Sequence, residues 1–146
     1  MPSKSPTLAE LAAGISAAGK LNRKDIEALA AQGVRTIVNN RPDGEDWGQL
    51  SAADARAVAA AHSVAYHHIP FTMASLSKAE VDAFAAVLAS AEQPIVAHCR
   101  SGTRSALLWA LVRLRDGDDP AGLIGQAARS GIDIAALPAI AARLGL

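Results

Sequence analysis

Residues 94–115 read PIVAHCRSGTRSALLWALVRLR, and their reading decides the architecture. Pro94 opens a short apolar run, Ile95, Val96 and Ala97, of the kind that forms a buried strand. From about Arg104 to Arg115 the apolar residues Ala106, Leu107, Leu108, Ala110, Leu111, Val112 and Leu114 fall on nearly every side of a helix, which marks it as central and buried. Between strand and helix lies His98-Cys99-Arg100-Ser101-Gly102-Thr103-Arg104-Ser105.

Upstream, the same alternation recurs. Asn22 is an N-cap with Asp25 at N3 and Leu21 and Ile26 as a staple, so a helix should run from Arg23 to about Gln32 and stop at Gly33. Val34–Val38 (VRTIV) reads as a buried strand, and Asn39–Gln49 (NNRPDGEDWGQ) as a loop with its turn at Pro42, Asp43 and Gly44. Ser51 caps a helix to about His62, Val64–Ile69 makes a strand that Pro70 ends, and Ser77 with Glu80 boxes a helix to about Ala91. Leu11–Ala18 (LAAGISAA) fits a short strand or a frayed helix. Downstream, Asp119 and Pro120 sit at N-cap and N1 of a helix over Ala121–Ser130, and an Ala-rich helix around Ile134–Leu144 closes the chain. At least three alternations of strand and helix predict an α/β fold: a mainly parallel sheet of four to five strands covered by helices. In such sheets ligands bind beyond the carboxyl ends of the strands, where the loops after Val38 and Ala97 lie.

At 146 residues one domain is expected, with residues 1–6 flexible and 119–146 forming C-terminal helices. Lys plus Arg balance Asp plus Glu at 14 each, which argues against nucleic-acid or membrane-surface binding through bulk charge, so charge selectivity must be local. Cys99 is the single cysteine, which excludes an internal disulfide and a multi-thiolate metal site. MPSKSP lacks the apolar run of a signal peptide, and a soluble protein of the reducing cytoplasm is the expectation.

The composition of 98–105 suits an anion. Gly102 lets the backbone turn back so that N–H groups converge at the start of the following helix. Arg104 brings a planar guanidinium that matches two oxygens of a phosphate-like group, and these N–H groups, the helix dipole and Arg104 all favour the thiolate of Cys99. Arg100, Ser101, Thr103 and His98 complete the loop, and Ser105 or Ser101 could donate a hydrogen bond to the sulfur. Arg41 is a second anion contact or a salt-bridge partner of Asp43; Trp47 reads as a lid or packing residue. His67 and His68 point to opposite faces of one strand and cannot chelate a metal together, and no metal or cofactor is expected.

HCRSGTRS followed by ALLWAL, with the upstream VNNRPDGE, resembles the beta-lactamase-hydrolase-like phosphatase domain, a bacterial family of the cysteine-dependent protein tyrosine and dual-specificity phosphatase superfamily. The resemblance covers about Leu11–Arg115. It implies Cys99 as the nucleophile that forms a phosphocysteine, Arg104 as the residue holding the phosphoryl oxygens, and Asp43 as first candidate for general acid, ahead of Glu45 and Asp46. The chain departs from the superfamily at three places. Tyrosine phosphatases have five residues between nucleophile and arginine, whereas Arg100–Thr103 are four. The loop Phe71–Ser77 (FTMASLS), which usually delivers the acid, contains no carboxylate, and Asn40 stands where the family often has an apolar residue.

A Cys-x4-Arg loop also resembles that of rhodanese-type sulfurtransferases, whose cysteine carries a persulfide and needs no general acid. Three functions are therefore expected in order: a phosphatase-like hydrolase of a small anionic ester or a phosphoprotein, a sulfurtransferase, and a non-catalytic anion-binding module. The Ala-rich C-terminal helices could cover the core or pair two copies of the chain.

Overall fold

The computed structural model describes residues 5–146; the expectation for residues 1–4 lies outside them. Five four-residue strands, β1 (Ala9–Ala12), β2 (Ile15–Ala18), β3 (Thr36–Asn39), β4 (Ala65–His68) and β5 (Ile95–His98), form one sheet in the order β1-β2-β5-β3-β4. Six helices join them: α1 (Arg23–Ala31), α2 (Ala52–Ala61), α3 (Lys78–Ser90), α4 (Thr103–Arg115), α5 (Pro120–Arg129) and α6 (Leu137–Leu144).

Strands β2, β5, β3 and β4 are mutually parallel, as expected of strands joined through helices. The stretch 11–18, open between strand and helix, instead belongs to a β-hairpin whose first strand begins at Ala9; it adds β1 antiparallel at the edge. The turn depends on Gly14, whose φ of +84° is one that L side chains rarely adopt.

Alternation along each strand divides the core into two layers. Ile15, Ala17, Val38, Ile95 and Ala97 face one side, under α3, α4, α5 and α6. Ala18, Ile37, Tyr66 and Val96 face the other, under α1 and α2. Ala17 and Ala97 are fully buried, and their small side chains let α4 lie close on the sheet. Every residue of α4 from Ser105 to Val112 is buried, which accounts for its lack of a polar face.

Two strands start later than expected for one reason. Gly33 at φ +93° and Val34 close α1, with the Gly33 N–H donating to the Ala30 carbonyl and the Val34 N–H to that of Leu29, a Schellman ending. Val34 thus belongs to the helix terminus, and β3 begins at Thr36. Ser63 and Val64 end α2 in the same way, with Ser63 at φ +60°. The C-terminal helices cover the core: Leu123, Ala127, Ile132, Ile134, Leu137 and Ala141 are buried in the layer that contains α4.

Candidate functional site

Ala18, His98, Asn39 and His68, the last residues of the four parallel strands, stand in one register row. The segments leaving that row, 19–22, 99–102, 40–50 and 69–76, therefore start from a common edge, and their side chains meet there.

Cys99 is the first residue beyond β5. Its N–H donates to the Ala18 carbonyl at 3.1 Å, its side chain is fully buried, and its Sγ accepts the Gly102 N–H at 3.0 Å. Gly102 makes this contact because it takes φ +93° at the N-cap of α4. That helix has no side-chain cap, so no side chain takes up the N–H groups of its first turn. Gly19 lets the loop lie close: a Cβ there would come within 3.0 Å of the Arg100 carbonyl oxygen, and the cysteine loop would have to back away from the end of β2 by a few tenths of an ångström.

Arg104 lies near enough to the Cys99 sulfur to interact with it. Its Nη1 donates to the Phe71 carbonyl at 3.0 Å, and its two Nη atoms grip Glu45 at 2.6 and 2.8 Å. Arg41 is buried. It donates through Nε to Glu45 at 3.1 Å and through Nη2 to Asp46 at 2.7 Å. Asp46 also pairs with Lys20 at 2.9 Å and Arg100 at 3.5 Å. Four cations thus surround two adjacent carboxylates. Arg104 holds the Glu45 carboxyl below the usual carboxylate range, and Lys20 does the same to Asp46.

The other sequence candidates are placed as follows. The Asp43 Oδ1 accepts the Ala52 N–H at 2.8 Å at the start of α2, and Arg41 pairs with Glu45 and Asp46. Ser105 donates to the Asn40 Oδ1 at 2.7 Å and Ser101 to Thr103 at 3.2 Å, so neither hydroxyl is on the sulfur; the Gly102 N–H is. Trp47 packs on nothing and is fully exposed. His98 is buried with its Nδ1 unpartnered, and burial pushes its imidazole down to about 4, so it is neutral at pH 7.

Two contributors, Gly19 and Lys20, were not singled out from the sequence, and a third, Asn40, was noted there only as a departure at its position. Asn40 joins three elements, accepting from Ser105 and donating from Nδ2 to the Ile69 carbonyl at 2.9 Å. Gly19 and Lys20 follow the end of β2 directly. Their signal was the strand reading of 15–18, which places them on the same edge as Cys99.

Residues 7–115 match the family model described as the beta-lactamase hydrolase-like protein, phosphatase-like domain. The beta-lactamase hydrolase-like protein of Agrobacterium fabrum is 37% identical over 103 residues, which are 70% of this chain and 24% of that protein, so the match spans about a quarter of its relative's length. Among solved structures, a "putative phosphatase" of Neisseria meningitidis superposes with a TM-score of 0.81 at 30% identity, covering 90% of this chain and 94% of that one. Kinase associated phosphatase, carrying serine for its catalytic cysteine, shares the fold at a TM-score of 0.71 and 16% identity, with 93% of this chain and 91% of that one covered.

Proposed function

Since the chain belongs to the family of the phosphatase-like domain of beta-lactamase hydrolase-like proteins, we propose that it is a phosphatase-type hydrolase in which Cys99 attacks an anionic phosphate monoester. The observation that carries this reading is the Cys99 sulfur itself, hydrogen-bonded by the Gly102 N–H at the open N-terminus of α4, beside Arg104.

The phosphoryl group takes the Arg104 fork that Glu45 now occupies, because a dianion meets the same two donors and adds the α4 N–H groups. The Cys99 thiolate forms an S–P bond as the P–O bond to the leaving group breaks. Glu45, displaced from Arg104 and so freed of the pairing that keeps it ionised, takes up a proton from solvent and gives it to the departing oxygen. Water then attacks phosphorus, Glu45 takes up the water's proton, and the S–P bond breaks to release phosphate and thiolate. Glu45 is assigned this role over Asp43 because it lies on the Arg104 fork that the phosphoryl group takes, whereas Asp43 is turned to the start of α2.

One observation favours sulfur transfer as a second reading. The loop has only four residues between Cys99 and Arg104, and the 71–77 segment has no carboxylate, which suits a reaction without proton donation. In it the Cys99 thiolate attacks the outer sulfur of a sulfane donor, its S–S bond breaks, and the persulfide passes that sulfur to an external acceptor.

One experiment separates them. Phosphate release from aryl phosphates and thiocyanate formation from thiosulfate plus cyanide are measured for wild type, Cys99→Ser, Glu45→Gln and Asp43→Asn. Hydrolysis should vanish in Cys99→Ser. Glu45→Gln should slow phenyl phosphate about 100-fold and p-nitrophenyl phosphate far less, since only the poorer leaving group needs the proton. Thiocyanate formation without phosphate release would establish the second reading instead.

A further inference from the structure

The seat now filled by Asp46 has no part in the reaction above, yet it is built as fully as the seat of Glu45. The Asp46 carboxylate lies among Lys20, Arg41 and Arg100, whose nitrogens come within 2.9, 2.7 and 3.5 Å. One of these cations, Arg41, has a side chain only 5% exposed. A buried guanidinium cannot lose its counter-ions without a large desolvation cost, so the Glu45–Asp46 pair leaves readily only when other anions replace both carboxylates. A single phosphoryl group at Arg104 replaces one.

Two glycines set the segment off from its neighbours. Gly44 and Gly48 bracket Glu45, Asp46 and Trp47, both in the left-handed region at φ +77° and +74°, and Trp47 at its tip is fully exposed. Asp46 lines a cleft of about 430 Å³ together with Lys20, Arg23, Arg41 and Trp47 among others, so a second anionic group has room beside these cations.

We infer that the substrate carries two anionic groups, one reacting at Cys99 and Arg104 and a second occupying the Asp46 seat on Lys20, Arg41 and Arg100, with the Gly44–Gly48 segment acting as an internal mimic of this bis-anion. The inference rests on the reading of the site as one for an anionic ester and names its substrate class.

The test is equilibrium binding of propane-1,3-diyl bisphosphate and of propyl phosphate to the full chain by calorimetry, with aryl phosphate turnover followed in the same preparations. Wild type should bind the bisphosphate at least about tenfold more tightly, and exposed Lys20→Met should bring the ratio toward one. Asp46→Asn, which neutralises the internal competitor, should tighten bisphosphate binding about fivefold; a purely structural Asp46 would loosen it. Equal binding of the two ligands by wild type, a ratio unmoved in Lys20→Met, or weaker binding by Asp46→Asn would each overturn the second seat. A retained ratio without turnover would instead remove the hydrolase reading and leave the seat standing.

Discussion

His98 shows how a single side chain ties site and stability together. It ends β5 in the middle of the sheet, buried next to the nucleophile, and its imidazole is pushed from 6.5 to about 4 chiefly by burial, with the Arg41 and His68 charges adding to it. Between those pH values the unfolded chain binds a proton that the folded chain refuses. Its contribution is therefore complete above about pH 6.5 and is lost as pH falls, by about 3 kcal/mol at pH 4. Denaturant unfolding at a series of pH values should show this loss starting well above the carboxylate range, and His98→Gln should remove that early part. Glu45 and Asp46, held low by Arg104 and Lys20, act in the same direction at lower pH. The residue scale is also where the sequence was least complete. Cys99, Gly102 and Arg104 were legible because the chemistry of an anion loop dictates their types. The partner of Arg104 was not, because three carboxylates lie within four positions and only backbone geometry distributes them: Asp43 to α2, Glu45 to Arg104, Asp46 to Lys20.

Elements were legible wherever local chemistry terminates them. The Asn22 and Asp25 capping box, the Ser51 cap and Asp119 before Pro120 all stand where the sequence placed them. Helix C-termini also fell within a residue or two of the reading, but two strand starts did not, because the residue after the left-handed position is apolar and passes for the start of a strand. Val34, Val64 and Ile132 each donate their N–H back to the carbonyl of Leu29, Ala59 and Ala127 and are buried there. Two of these endings carry glycine, Gly33 and Gly131, while the third forces exposed Ser63 to φ +60°. Ser63→Gly should therefore raise stability by about 0.5–1 kcal/mol, read from the denaturation midpoint with an unchanged slope.

At the scale of the whole molecule, the matched family region ends at residue 115, but the core does not. Leu123, Ile132, Ile134 and Leu137 from the last 28 residues are buried against α4 and the sheet. At about 2 kcal/mol each they contribute about 8 kcal/mol, comparable with the entire net stability of a domain this size. A chain ended after Asp118 should lose cooperative unfolding and near-ultraviolet dichroism, while Cys99→Ser keeps both. The alternative left open for the Ala-rich helices, cover or pairing surface, is thus decided for the faces that carry these residues. Among the described residues no helix is long and apolar enough to cross a membrane.

The sequence by itself determined the α/β class, the parallel order implied by alternating strand and helix, and a cysteine loop at the carboxyl edge of the sheet. These follow from periodicity, capping and the electrostatic needs of an anion, all of which act within about ten residues. Only the tertiary structure decided what faces that loop. The hairpin at the edge, the Asn40 link from Ser105 to Ile69 and the cation cluster over Glu45 and Asp46 join residues tens of positions apart. Lys20, Arg41, Arg100 and Arg104 become one group because four parallel strands end in one row, and that registry is set by packing two layers on the sheet rather than by any local signal.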